Sequence, residues 1–285
     1  MYDDNAAYEL SSIQKRLWFL EKIDKHGNIN NLPYIIHMKG QLDISLLKQS
    51  VELLVQKHDL LQNTFFELDG IPYQKKNTNM NKDIFTFELC GNESVQRLVE
   101  NRLEQVIHKP FRQELPLYRF RLIEMGEREY LLAFVIHHLI ADGWSIGLLL
   151  QDIFNIYGEL KNKRLSLVPA QFTYKDYIDL EQYHVTKEFV DRELEFWKKK
   201  LDGMPLSMNL PYDFKKDVDP EVGSQKIYSF KAEMIDRLIE KSKETKTSLH
   251  IWFVSIYILL LYKLTEQDDV VIGLPVAGRN SSMLE

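Results

Sequence analysis

The run "EYLLAFVIHHLIADGWS", from Glu129 to Ser145, constrains the fold of this chain more than any other stretch. Its first part is nearly all apolar, so it does not suit a strand with one wet face; it suits a central strand covered on both. Asp142-Gly143 then reads as a tight turn, and helical periodicity resumes from Trp144 to Leu160. Strand, turn and helix in that order place an imidazole at a strand's end and backbone N–H groups at a helix start. The fold class expected is α+β, an α/β sandwich.

The flanking sequence fits that class. "LSSIQKRLWFLEKI" has helical spacing at Ile13, Leu17, Leu20 and Ile23, with Ser11 or Ser12 as N-cap. "YIIHMKG" reads as a strand, and Asp43 caps a helix whose face carries Ile44, Leu47, Val51, Leu54 and Val55. "NTFFELDGIPYQ" is a hairpin around Asp69-Gly70, and "LYRFRLIEM" with "EYLLAFVIHH" forms a second around "GER". Between them lie a strand at "DIFTFEL" and an amphipathic helix from Glu93 to His108, stopped by Pro110.

From Lys161 to about Tyr183 the sequence is irregular, with Pro169 inside it; then comes a charged helix, "TKEFVDRELEFWKKKL", and a proline-punctuated loop, "DGMPLSMNLPYDFKKDVDPEVG". Strands are expected at "SQKIYSF" and "DDVVIGLPV", with helices from Ala232 and Ser248 between them. The apolar run "IWFVSIYILLLY" is too short to span a bilayer and is expected to be a buried core helix. Residues 1–180 therefore make one subdomain. Residues 181–285 make a linker helix and an incomplete second subdomain, since its strands are few for a self-sufficient sheet.

Hydrophobic content of 45% over 285 residues is enough for a sizeable core. A net charge of −6 gives no global electrostatic reason to expect nucleic acid or an anionic membrane. The single cysteine, Cys90, excludes an intrachain disulfide and a multi-cysteine metal site, and no histidine lies near it in sequence to activate it. "MYDDNAAYEL" is unlike a signal peptide, so a cytoplasmic location is expected.

Neighbouring side chains on a strand point to opposite faces, so His137 and His138 do not both face one substrate if the strand persists through them. One is expected to be structural and the other to face a cleft. The assembly suits acyl transfer. An imidazole accepts a proton from an attacking amine or hydroxyl, or orients it. Helix-start N–H groups favour negative charge on a carbonyl oxygen. Gly143 permits close backbone approach and an unusual dihedral. Asp142 is open to three roles: partner to a base, acid toward substrate, or a carboxylate holding the loop against a cation. A structural histidine pair is the bland alternative to catalysis. Metal binding by His137, His138 and Asp142 is disfavoured because the strand separates the histidines. Ser145 lacks the Gly-x-Ser-x-Gly elbow and reads as a capping residue, and "GLPVAG" is not a phosphate-binding fingerprint.

These residues resemble a known family. "HHLIADGWS" is similar to the His-His-x-x-x-Asp-Gly signature of nonribosomal peptide synthetase condensation domains, which is shared with wider acyltransferases related to chloramphenicol acetyltransferase. "LSSIQKRLWFLEKI", "KHDLLQNTFF", "YKDYIDLEQ", "LPYD" and "VVIGLPVAGRN" resemble the family's other landmarks in the right order, from about Leu10 to the last residue. The resemblance implies two chloramphenicol-acetyltransferase-like subdomains with the active site in a tunnel between them. It also implies amide bond formation between an acyl or peptidyl donor and an aminoacyl acceptor. Each arrives as a thioester on the phosphopantetheine arm of an upstream or downstream peptidyl carrier protein, with an adenylation domain nearby. No cofactor is bound directly and no metal is required. His138 is implied to face the reaction and Gly143 to give space or its N–H. His137, Asp142, Arg16 and Trp144 are supporting residues. "DGWS" and "QKRLWFL" resemble the subtype joining an L-donor to an L-acceptor.

Two departures stand out. Gln62 occupies the place of an arginine thought to pair with the signature aspartate, which leaves the partner of Asp142 open. The sequence also stops at Glu285, before the family's later motifs, so a C-terminally shortened domain is expected, one that on its own need not be active. A stand-alone acyltransferase using a soluble thioester and a free amine or alcohol is the competing enzyme. A non-catalytic carrier-binding scaffold is the competing non-enzyme.

Overall fold

A computed structural model describes residues 7–24, 27–77, 84–90, 94–98, 102–111, 116–126, 128–166, 172–205, 207–212, 226–276 and 278–279. Its contacts fall into two units, Met1–Thr186 with Ala277–Glu285, and Lys187–Val276. The first unit runs β1 (Tyr8–Glu9), α1 (Ser12–Ile23), β2 (Asn31–Lys39), α2 (Ile44–Lys57), a 3-10 turn (Asp59–Gln62), β3 (Asn63–Leu68) and β4 (Ile71–Lys76). It continues through β5 (Phe85–Leu89), α3 (Val95–Leu98), α4 (Glu104–His108), β6 (Tyr118–Gly126), β7 (Glu129–His137), α5 (Gly143–Lys161) and α6 (Tyr174–His184). The second unit holds α7 (Lys187–Lys200), α8 (Ala232–Glu244) and α9 (Leu249–Thr265). The expected break between residues 180 and 181 falls within α6, and Gly278 and Arg279 belong with the first unit.

The main sheet has the order β2-β7-β6-β5, antiparallel except for the parallel β5–β6 pair, and a smaller sheet has the order β1-β4-β3. Every residue of β7 after Glu129 is buried. Its side chains alternate between two cores: Leu132, Phe134 and Ile136 join the one built with α2 and α5. Leu131 and Ala133 join Leu98, Leu103, Ile123 and Met125 on the opposite face. Phe134 stacks on Phe120 of β6 with ring centroids 4.4 Å apart. Burying each such side chain contributes roughly 1.5–3 kcal/mol. Lys57 and His58, at the end of α2, both bond Asp152 of α5 at 2.8 Å, which ties the two helices of that layer together. The hairpin at Asp69-Gly70 forms as its sequence predicts, with both residues in the left-handed region (φ 50° and 81°) that a two-residue turn demands.

Several expectations change. The stripe Ile13, Leu20 and Ile23 on α1 is exposed, and the buried residues of that helix are Gln14 and Trp18. α1 therefore turns a partly polar face inward, which apolar periodicity alone does not reveal. Of the helix expected over Glu93–His108, α3 and α4 are described, while Glu93 and residues 99–101 lie outside the described residues. The irregular stretch before Tyr183 contains α6, begun by a capping box between Thr173 and Asp176. Pro169 lies outside the described residues, as do Asp213 of "LPYD" and the loop to Gly223.

In the second unit neither expected strand forms among the described residues: Lys226–Phe230 and Asp268–Val276 carry no ladder. A strand needs a neighbour to take its N–H and C=O groups, and these segments have none there. The core helix expected at Ile251–Tyr262 is α9, and only Leu261 of it is buried. A helix apolar on all sides needs cover on all sides, and the described residues supply it on one narrow stripe. No single helix among the described residues is long and apolar enough to cross a membrane.

Candidate active site

Strand β7 ends at His137, and His138, Leu139 and Ile140 form the turn that leads to α5. Its backbone is held group by group. The His138 N–H donates to Asn30 O at 2.7 Å, and the Ile140 N–H to His137 O at 3.1 Å. The Leu139 N–H donates to His137 Nδ1 at 3.1 Å, while Leu139 O accepts from Gln14 Nε2 at 3.1 Å. Gln14 is itself fixed, because its Oε1 accepts from Gln74 Nε2 at 2.8 Å and from the Ser11 N–H at 3.1 Å. Asn63 then donates to Gln74 Oε1 at 3.1 Å and to the Tyr8 hydroxyl at 2.7 Å. A buried chain of amides thus runs from the small sheet to the histidine turn, and satisfied networks of this kind specify one arrangement. Burial pushes the Tyr8 phenol up to about 12.

The two histidines are placed differently. His137 is 1% exposed, with its ring edge-on to Phe111 at 6.0 Å and its Nε2 3.2 Å from Glu21 Oε2. That approach is close, yet its angle falls short of a hydrogen bond, so the contact is an electrostatic pairing. His138 is half-buried, and among the described residues its imidazole makes no hydrogen bond or ion pair.

Asp142 is the N-cap of α5: its Oδ1 accepts from the Ser145 N–H at 2.7 Å and from Ser145 Oγ at 2.5 Å. Ser145 therefore serves the cap. Arg279 Nη2 donates to both carboxylate oxygens of Asp142, at 3.1 and 3.2 Å, and to Ser145 Oγ at 3.1 Å. Burial alone raises the Asp142 carboxyl, but the Ser145 hydrogen bonds and the Arg279 charge outweigh it and hold the group below the usual carboxylate range. Arg279 thus supplies the cation that Gln62 does not. Gln62 has another task, donating Nε2 to Val55 O at 2.8 Å at the end of α2.

The Asp142 side chain takes one N–H of the first turn of α5. Among the described residues no acceptor meets those of Gly143 and Trp144, as expected for the first N–H groups of a helix, which have no intrahelical partner. Gly143 is exposed, and a Cβ there would meet nothing within 4 Å. Its φ is not positive, so the backbone there does not use the unusual dihedral that a glycine permits. Trp144 is 55% exposed. Arg16 is exposed on α1, and Gln14, two residues earlier, is the side chain of that helix that bonds the turn. Among the described residues no group of three His, Cys, Asp or Glu side chains is placed to hold a metal ion. Cys90 is buried in the second core.

Gln14, Glu21 and Arg279 are the residues that reasoning from sequence did not single out. All three stood within the quoted motifs, but the ties of Gln14 and Arg279 to residues 125 and 137 positions away are tertiary. Glu21 had only one faint signal, a carboxylate three residues from buried Trp18 on the same helical face.

The family model described as "Condensation domain" matches residues 4–285. Surfactin synthase subunit 1 of Bacillus subtilis is 32% identical over 278 residues, covering 96% of this chain and 7% of the synthase. Bacitracin synthase 2 of Bacillus licheniformis is 30% identical over 280 residues, covering 98% of this chain and 10% of the synthase. The chain thus spans a small fraction of the relatives it matches. The first condensation domain of the CDA synthetase has a similar fold, with a TM-score of 0.80 at 18% identity, covering 98% of this chain and 67% of that one. On the strength of the family match over nearly its whole length, the chain belongs to the condensation-domain family of nonribosomal peptide synthetases.

Proposed function

We propose that this chain forms amide bonds between substrates carried as thioesters on the phosphopantetheine arms of two peptidyl carrier proteins. The acceptor's α-amine attacks the donor thioester carbonyl; the new C–N bond replaces the C–S bond, and the amine's proton passes to the departing thiolate, which leaves as the thiol. His138 orients the amine and holds its proton during attack. The free N–H groups at the start of α5 favour the negative charge on the carbonyl oxygen, and the space beside Gly143 admits the thioester. His137 and Asp142 support the turn, and Trp144 lies exposed at its edge. We further assign the L-donor to L-acceptor subtype and a cytoplasmic setting beside carrier and adenylation domains.

One observation carries this reading: a half-buried imidazole without a partner among the described residues, on a turn whose three N–H groups are each bonded, directly before an open helix start. The test loads donor and acceptor on separate carriers and follows the dipeptidyl thioester by intact mass. His138→Ala is expected to lower product formation by about 10²–10⁴-fold with an unchanged melting temperature. Wild-type turnover in that variant would refute the role. Transfer to free amines but not to carrier-bound ones would favour the stand-alone acyltransferase, and a D-configured donor preferred over the L-form would overturn the subtype.

A further inference from the structure

We propose that Glu21 is a positioning residue for the histidine pair: its buried carboxylate holds His137 in the Nε2–H tautomer, so that Nδ1 accepts the Leu139 amide and the turn presenting His138 is fixed. The inference rests on the reading of His138 given above. Glu21 and His137 side chains are 10% and 2% exposed, with Oε2 and Nε2 3.2 Å apart. A ring nitrogen that accepts an N–H is unprotonated, so the Leu139 contact at 3.1 Å places the proton of a neutral ring on Nε2. Glu21 approaches that side of the ring, its Oε2 3.2 Å from Nε2 and off the N–H axis. In the opposite tautomer an N–H would face the Leu139 N–H, and a ring lone pair would face a buried carboxylate; both contacts become repulsive.

A carboxylate is costly to bury without a compensating group, and Oε2 has no hydrogen-bond partner among the described residues. Core packing therefore gives no reason for an acid at this position, whereas the imidazole beside it does. Phe111 sits edge-on to the same ring at 6.0 Å and, with the Arg119 guanidinium 3.8 Å over its own face, restricts the imidazole from turning over. Gln14 holds the carbonyl side of Leu139. Thus α1 grips the turn at two points, the peptide carbonyl through Gln14 and the ring tautomer through Glu21.

The test combines nitrogen-15 NMR of the histidine rings with turnover on loaded carriers, the His137 signals being assigned by their loss in His137→Gln. Wild type is expected to show the Nε2–H tautomer. Glu21→Gln keeps an acceptor oxygen, so it should keep that tautomer and recover most of the turnover. Glu21→Leu has no acceptor and should show mixed tautomers, with kcat down about ten- to hundredfold and the carrier KM unchanged, as for a misplaced reacting group. An Nδ1–H tautomer in the wild type overturns the proposal. So does an unshifted tautomer or wild-type kcat in Glu21→Leu. Should Glu21→Leu fail to fold, wild type and Glu21→Gln still decide it through the tautomer. If His138→Ala retains turnover while Glu21→Leu shifts the tautomer, the role of His138 fails and the hold of Glu21 on His137 stands.

Discussion

Replacing Asp142 by alanine tests whether the signature aspartate works through structure. Two interactions are lost at once. The cap on Ser145 N–H, at 2.7 Å, is worth about 1 kcal/mol, within a range of roughly 0.5–2. The pair with Arg279 involves side chains 24% and 41% exposed, so it contributes only about 0.5–1 kcal/mol. Together Asp142→Ala should cost about 1–3 kcal/mol, a fall in melting temperature of roughly 2–12 °C for a unit of this size. Asp142→Asn keeps an oxygen for the cap and should lose only the charge, as should Arg279→Ala from the other side. Both should show the smaller loss, and raising salt should shrink the difference from wild type.

The pH dependence has a definite sign. The folded carboxyl lies below its unfolded value, so its stabilisation is present above about pH 4, near the unfolded carboxylate pKa, and is lost as pH falls through the folded value. Wild-type and Asp142→Ala melting curves should therefore differ at neutral pH and converge in acid. Thermal denaturation followed by circular dichroism measures all of these. If Asp142→Ala melts with His138→Ala at neutral pH, or Asp142→Asn falls as far as Asp142→Ala, the aspartate is not acting as cap and counter-ion.

Two further substitutions separate the turn from its surroundings. Gln14→Leu removes the donor to Leu139 O and orphans Gln74 Nε2 and the Ser11 N–H, all buried. At about 1–3 kcal/mol for each group left unsatisfied it should lower both stability and turnover, and an unchanged melting temperature would show that the amide chain is dispensable. Gly143→Ala meets no atom within 4 Å and needs no left-handed backbone, so its melting temperature should hold or rise slightly while carrier-dependent turnover falls. Full turnover in that variant would show that the thioester does not pass there.

The sequence by itself determined the elements whose cause is local. An apolar run flanked by turn residues made β7 a central strand; Asp69-Gly70 made a hairpin, and Asp43 with the spacing of Leu47, Val51 and Leu54 made α2. Six motifs in order carried the family, and the strand-turn-helix at His137–Gly143 carried the candidate site. Tertiary structure decided what depends on distant partners. It turned the Gln14 and Trp18 side of α1 inward, against the apolar stripe, because the buried turn needed a donor for Leu139 O. It paired Asp142 with Arg279, 137 residues away, which no local pattern encodes. It also left "SQKIYSF" and "DDVVIGLPV" without ladders among the described residues, since a strand's propensity is local but its hydrogen bonds belong to a neighbour. Periodicity reports which face of an element is apolar. Which face is buried, and what polar group it must satisfy there, is set by the elements it meets.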